Sequence, residues 1–265
     1  MLLEKVNLVY FSPTGSTKSL SEAIAKGIGS KYSIINLTRP ESINVTYEFA
    51  TTDLTIIAVP VYSGRVPKTA VERIGRLKGN NTPAVLVTVY GNRDIDDAML
   101  ELKDHTTLLG FKAIAGASFI GEHSFNTPEF YVAVGRPDKN DIEKAYSFGI
   151  KVRKRFEEIK NEIPDLQVPG KQPYRAYNLL ITDILKIDTN MLTCTLCGAC
   201  AQVCPTGAIK ISDSVSTDSL LCIKCQACIR ICPMKARAWE NDRIKDVAKW
   251  LVTNCSTRRE PDFYL

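Results

Sequence analysis

Eight of the nine cysteines in this 265-residue chain fall into two runs of one spacing, C-x2-C-x2-C-x3-C-P. The first run is Cys194, Cys197, Cys200 and Cys204; the second is Cys222, Cys225, Cys228 and Cys232. Thiolates suit zinc and iron–sulfur clusters alike. A tetrahedral zinc site would use four of the eight and leave the third cysteine of each run and the Cys-Pro ends unexplained. A disulfide framework belongs to small secreted domains, and nothing here looks secreted. The spacing is that of two [4Fe–4S] clusters. Three close thiolates take three corners of one cube, and the fourth, just before proline, reaches the cluster of the other run. One expected ligand set is therefore Cys194, Cys197, Cys200 and Cys232. The other is Cys222, Cys225, Cys228 and Cys204. Gly198, Ala199 and Ala227 are small enough to let backbone N–H groups approach the sulfurs. The ninth cysteine, Cys255, shares a helical face with Ile244, Val247, Ala248 and Leu251 and is expected to be a buried apolar thiol.

These thiolates stand behind nearly two hundred residues without a cysteine. A hydrophobic content of 45% with 24% charge is that of a globular protein, of a length for one large or two ordinary domains. The longest apolar runs, TIIAVPVY and AVLVTVY, are strand-length, so no membrane span is expected. The N-terminal stretch has an acid at Glu4 and no small-residue cleavage site, unlike a signal peptide. A cytoplasmic location in a reducing, anaerobic cell is expected. The formal charge of +5 falls to roughly +1 once each thiolate-bound cluster contributes about −2. The basic balance is thus no argument for nucleic acid. The densest basic run, KVRKR at 151–155, reads as a solvated helix face.

Residues 1–161 alternate between strand and helix patterns. Apolar strands are expected at 6–11, 32–37, 54–62, 83–90 and 112–120, with helical spacing through Leu20, Ile24 and Ile28, over 68–78, through Ile95, Met99, Leu102 and Leu109, and from Ile142 to Ile159. Strands apolar throughout, alternating with helices, predict an α/β fold: a doubly wound five-stranded parallel sheet covered on both faces. Ligands of such folds sit at the carboxyl ends of the strands. The first strand ends in FSPTGSTK, a hydroxyl-rich turn of Ser12, Thr14, Ser16 and Thr17 with Gly15 free to take positive φ. Helix N-terminal N–H groups there could hold a phosphate, although a plain N-cap turn has the same composition. The nucleotide-triphosphatase and dinucleotide fingerprints are absent.

The S-x-T-G-x-[ST] turn after strand one resembles the FMN phosphate loop of flavodoxins. Two further strand ends, PVYSGRVP (60–67) and VYGNRD (89–94), resemble the flavodoxin loops that flank the isoalloxazine. The resemblance implies that FMN is held by Ser12, Thr14, Gly15, Ser16 and Thr17, by Pro60, Val61, Tyr62, Ser63 and Gly64, and by Tyr90, Gly91 and Asn92. Tyr62 and Tyr90 would stack on the ring. Lys18, Arg65 and Arg93 depart from the family pattern and would stabilise reduced flavin. The flavodoxin likeness covers residues 1–161, and a likeness to two-cluster bacterial ferredoxins covers about 186–240. Together they resemble fused flavodoxin–ferredoxin electron-transfer proteins of anaerobes.

The expected organisation is a flavodoxin-like domain at 1–161, a linker with a short docking segment at 162–185, a small α+β two-cluster ferredoxin-like domain at 186–243, and a helix and tail at 244–265. The expected function is a relay of electrons from a low-potential one-electron donor, such as an acidic ferredoxin, through the clusters to FMN and a protein partner. Lys224, Arg230 and Lys235 would steer that donor. The alternative is a flavoenzyme reducing a small molecule such as a quinone or oxygen at FMN, with Arg65, Arg93 and His123 as its polar groups. His105 reads as an ordinary helix residue. The aromatic end, REPDFYL, is expected to pack back onto the body.

Overall fold

The computed structural model describes residues 3–29, 31–160, 162–177, 185–239 and 243–265. Its first half follows from short, continuously apolar runs that can be buried on both faces. Strands β1 (Lys5–Tyr10), β2 (Tyr32–Asn36), β4 (Asp53–Pro60), β6 (Thr82–Tyr90) and β7 (Phe111–Ile120) form one parallel sheet in the order β7-β6-β4-β1-β2. Every residue of β4 and β6 is buried, as central strands require, while β2 at the edge is half-exposed. Two-residue strands β3 (Tyr47–Glu48) and β5 (Leu77–Lys78) pair apart from this sheet.

Helices α1 (Ser16–Ile28) and α4 (Lys139–Glu158) cover one face, where Leu20, Ile24, Phe148, Val152 and Phe156 meet Leu8, Ile56 and Val85. Helices α2 (Lys68–Ile74) and α3 (Ala98–Leu108) cover the other, where Ala70, Met99 and Leu102 meet Val9, Ile57 and Leu86. A Cβ on Gly149 would lie 2.2 Å from the Ile24 carbonyl oxygen, so α1 and α4 touch backbone to backbone. Numbered along the chain, the five parallel strands stand in the order 2-1-3-4-5, the flavodoxin-like doubly wound arrangement.

Residues 162–177, expected as linker, run along α3. The Asp97 carboxylate accepts N–H bonds from Lys171 (3.0 Å) and Arg175 (2.7 Å). Tyr174 donates to Asp104, and Tyr177 donates to the Val66 carbonyl at 2.6 Å. The rest of the expected docking segment, 178–184, lies outside the described residues.

The cysteine-rich part is small and built twice. Strand β8 (Ile187–Thr189) pairs antiparallel with β11 (Arg237–Trp239), and β9 (Ile209–Ile211) with β10 (Val215–Thr217). Short helices α5 (Ala199–Gln202) and α6 (Ala227–Ile231) open inside the two cysteine runs. Helix α7 (Arg243–Cys255) follows, with Ile244, Ala248 and Leu251 buried and Cys255 only half-buried. The chain then returns to the first domain. Strand β12 (Asp262–Tyr264) adds antiparallel to the outer edge of β7, and Phe263 stacks on Phe148 at 5.0 Å. The expected five-stranded sheet thus has six strands, because the alternation rule that finds crossover strands does not see a three-residue return.

Candidate redox sites

The two cysteine runs wrap two small cavities. The first is lined by Cys194, Cys197, Cys200 and Cys232, with Gly198, Ala199, Ile211 and Arg237. The second is lined by Cys204, Cys222, Cys225 and Cys228, with Ala227 and Ile209. In each lining the Cys-Pro cysteine comes from the other run. Among the described residues, no three His, Cys, Asp or Glu side chains converge on a single ion. Separated thiols around a void fit a cube better than a mononuclear metal.

Backbone amides support the thiolates. Burial alone would raise the Cys232 thiol, but N–H groups of Ala236, Arg237 and Met234 outweigh it and lower its pKa. The Ala236 amide lies 3.2 Å from that sulfur. Burial pushes the Cys225 thiol up to about 12, despite the Ala227 amide. The sites differ in exposure: Cys197 is exposed, whereas Cys225 and Cys228 are buried.

The second run packs against the first domain. Cys225 lies close enough to Tyr62 to reinforce the rise in that phenol's pKa that burial causes. Ile223 joins the core on the α2–α3 face. Gln226 donates to the Asn126 carbonyl at 3.3 Å, and Arg230 pairs with Glu122 at 3.2 Å. Arg73 donates to the carbonyls of Leu37 and Thr38, both at 2.7 Å, and to that of Pro205 in the first Cys-Pro. The contacts revise the expected docking patch. Lys224 is buried and donates to the Ser219 carbonyl at 3.3 Å, and Arg230, though exposed, is paired with Glu122; among the described residues Lys235 is exposed without an ion pair.

At the carboxyl ends of the strands, Gly15 is the N-cap of α1 at φ 92°, with no side-chain cap. A Cβ there would meet nothing within 4 Å. The first-turn N–H groups thus front open space, the setting for an anion. The Ser12 hydroxyl accepts from the Lys18 amide at 3.0 Å, and the Ser12 amide donates to Thr38 Oγ1 at 2.7 Å. Thr14 and Ser16 are half-exposed, while Thr17 is buried. Pro60 ends β4, and Val61 donates its N–H to the Val89 carbonyl at 2.8 Å. Tyr62 and Arg65 close a tight turn through Ser63 and Gly64, both at positive φ.

The third loop is less free than expected. Tyr90 is buried in the core, and Arg259 hydrogen-bonds its hydroxyl. The Asn92 amide nitrogen donates to the carbonyls of Cys255 (2.6 Å) and Thr257 (2.8 Å). The expected stacking role of Tyr90 has no open face, and this loop offers its backbone instead. The ring of His123 packs against Gly91, where a Cβ would lie 2.4 Å from it. Arg65 is held by Glu101 at 2.7 and 2.8 Å and between the rings of Tyr174 and Tyr177. Arg93 pairs with Asp96. Both cations are therefore neutralised within the chain, which weakens the expectation that they would stabilise reduced flavin.

Burial, reinforced by Arg93, pushes His123 down to about 4. The unfolded imidazole titrates near 6.5. The folded state therefore binds fewer protons, and stability should fall as pH drops from about 6.5 towards 4. Thermal melts at pH 7 and pH 5 are expected to differ less for His123→Gln than for wild type. An equal drop in the two would contradict the assignment.

The fold and cavities define a flavodoxin-like doubly wound domain joined to a small domain with two ferredoxin-type cysteine motifs. Residues 187–210 match the family model Fer4, a 4Fe-4S binding domain, and residues 219–235 match Fer4_4, also a 4Fe-4S binding domain. No curated protein matches the chain. Among solved structures, a flavodoxin from the domain Archaea is 15% identical and covers 58% of this chain and 100% of its own, with a TM-score of 0.36. Flavodoxin 2 from Bacillus cereus is 11% identical over 58% and 100%, at 0.41. A Fusobacterium nucleatum flavodoxin bound to flavin mononucleotide is 14% identical over 58% and 99%, at 0.38. The fold assignment rests on the strand order, not on likenesses at this level. Among the described residues, no helix is long and apolar enough to cross a membrane.

Proposed function

We propose that this chain is an electron carrier in which two [4Fe–4S] clusters exchange electrons with FMN. The observation that carries it is the packing of the second cysteine run on the first domain, with Ile223 in the α2–α3 core, Gln226 bonded to Asn126 and Arg230 paired with Glu122, which sets the second cavity beside the loop after β4. FMN moves one or two electrons and each cluster moves one. The chain supplies the rest. The open N-terminus of α1, with Ser12, Thr14, Gly15, Ser16 and Thr17, would hold the phosphate. The turn Pro60–Gly64 and the backbone of Tyr90, Gly91 and Asn92 would flank the ring. Cys194, Cys197, Cys200 and Cys232 would bind the outer cluster; Cys222, Cys225, Cys228 and Cys204 would bind the cluster next to FMN.

Exposure at Cys197 makes the outer cluster the intake for a low-potential, one-electron protein donor in the cytoplasm, and FMN the outlet to a protein partner. The small-molecule reductase is the weaker reading, because Arg65 and Arg93 are paired and His123 is packed on Gly91. Anaerobic purification is expected to give about eight irons with a single FMN per chain. Cys204→Ser should disturb the cluster of the second run while that of Cys194 persists. Loss of the Cys194 cluster instead would overturn the crossed ligation, and a chain with iron but no flavin would overturn the relay.

A further inference from the structure

Arg237 is a buried arginine in the core of the iron–sulfur domain, 3% exposed. One terminal nitrogen donates to Thr189 Oγ1 at 2.6 Å and the other to Thr217 Oγ1 at 2.8 Å. The second also lies 3.7 Å from the Cys228 sulfur. Among the described residues, Nε has no hydrogen-bond partner. The side chain lines the first cavity together with Cys194, Cys197, Cys200 and Cys232. It therefore touches a proposed ligand of one cluster and borders the other. Among the described residues, no ion pair with a carboxylate involves it; its hydrogen-bonding partners are two neutral hydroxyls and a sulfur.

A buried cation without a counter-charge is strongly disfavoured in an ordinary core. The internal repeat makes its presence more telling. Counting from each Cys-Pro, Cys204-Pro-Thr-Gly-Ala-Ile209 aligns with Cys232-Pro-Met-Lys-Ala-Arg237. Ile209 lines the second cavity as Arg237 lines the first. The repeat thus places an apolar side chain at one site and a fixed positive charge at the other. The missing counter-charge is supplied by the clusters, each carrying about −2 when oxidised.

We propose that Arg237 is the shared counter-cation of the two iron–sulfur clusters and raises their reduction potentials. The inference rests on the reading of two [4Fe–4S] clusters in these cavities. Each cluster gains one electron on reduction, from about −2 to −3, and the cation stabilises the more negative state. Arg237 can then hold electrons at the clusters until FMN takes them.

The test is an EPR-monitored redox titration of the full chain, anaerobic and with dithionite as reductant. It compares wild type, Arg237→Ile, which copies the partner half of the repeat, and Arg237→Lys. Iron and sulfide are counted first. Fewer than two clusters in wild type would sink the cluster reading itself and be recognised as such. With both variants loaded, Arg237→Ile should lower at least one midpoint by about 59 mV, tenfold in a one-electron equilibrium, and Arg237→Lys should restore most of it. Unchanged midpoints in the isoleucine variant would overturn the proposal. If the isoleucine chain fails to load iron while the lysine chain loads it, the charge is required even for assembly, which supports the proposal. If the lysine chain loads as poorly, the arginine acts through shape and its threonine bonds, and the proposal falls.

Discussion

Gly15→Val is expected to give a chain that purifies without FMN and with its iron content unchanged. Gly15 sits at φ 92°, a left-handed conformation that costs a residue with a Cβ roughly 1–2 kcal/mol. A β-branched side chain is worse placed there than alanine. The larger effect is steric. The glycine's missing Cβ points into open space at the head of α1, where the phosphate is proposed to bind. Valine methyls would fill that space and tilt the first-turn N–H groups away from it. The fold should survive, because α1 is fixed through Leu20, Ile24 and Ile28. Gly15→Ala should weaken flavin binding without abolishing it. The flavin-to-iron ratio from the visible spectrum and an iron assay checks both, and full flavin occupancy in the valine chain would refute the phosphate assignment.

Loss of the inner cluster should slow flavin reduction at least tenfold, or about 1.4 kcal/mol in activation free energy. The variant is Cys222→Ser with Cys225→Ser, mixed with a reduced ferredoxin under anaerobic stopped flow. The second run is the one that packs against the first domain through Ile223, Gln226 and Arg230, so without its cluster the outer one has no neighbour on the way to FMN. FMN content should stay at wild-type level. Wild-type rates with the inner cluster absent would remove the clusters from the route. Because Lys224 is buried and Arg230 is already paired with Glu122, the wild-type rate should depend only weakly on ionic strength.

The parallel sheet was legible because burial on both faces writes itself as unbroken apolar runs, as in LTIIAVPVY and PAVLVTVY. The helix at Ser16 was legible from its glycine-containing, hydroxyl-rich start. The cysteine spacing carried both cavities, since spacing is the geometry of the cube. What depended on long-range pairing was hidden. Arg65 lies in a ring loop, and only the fold brings Glu101, 36 residues on, to it. Tyr90 looked available until Arg259, far along the chain, reached its hydroxyl. Arg237 did leave a signal, a charge where the first half of the repeat has Ile209. Comparing the halves beyond their cysteines would have found it.

Strand β12 ties the order of synthesis to the order of folding. The outer edge of β7 is completed by residues that follow the whole iron–sulfur domain in the chain. While a ribosome is still making residues 186–239, that edge carries unpaired N–H and C=O groups and invites other strands. The sheet closes only after the cysteine runs have emerged and been brought alongside. Assembly of the cysteine-rich half and completion of the parallel-sheet half are thereby parts of one maturation. A nick between the two halves would leave them clasped through β12 rather than free to drift apart.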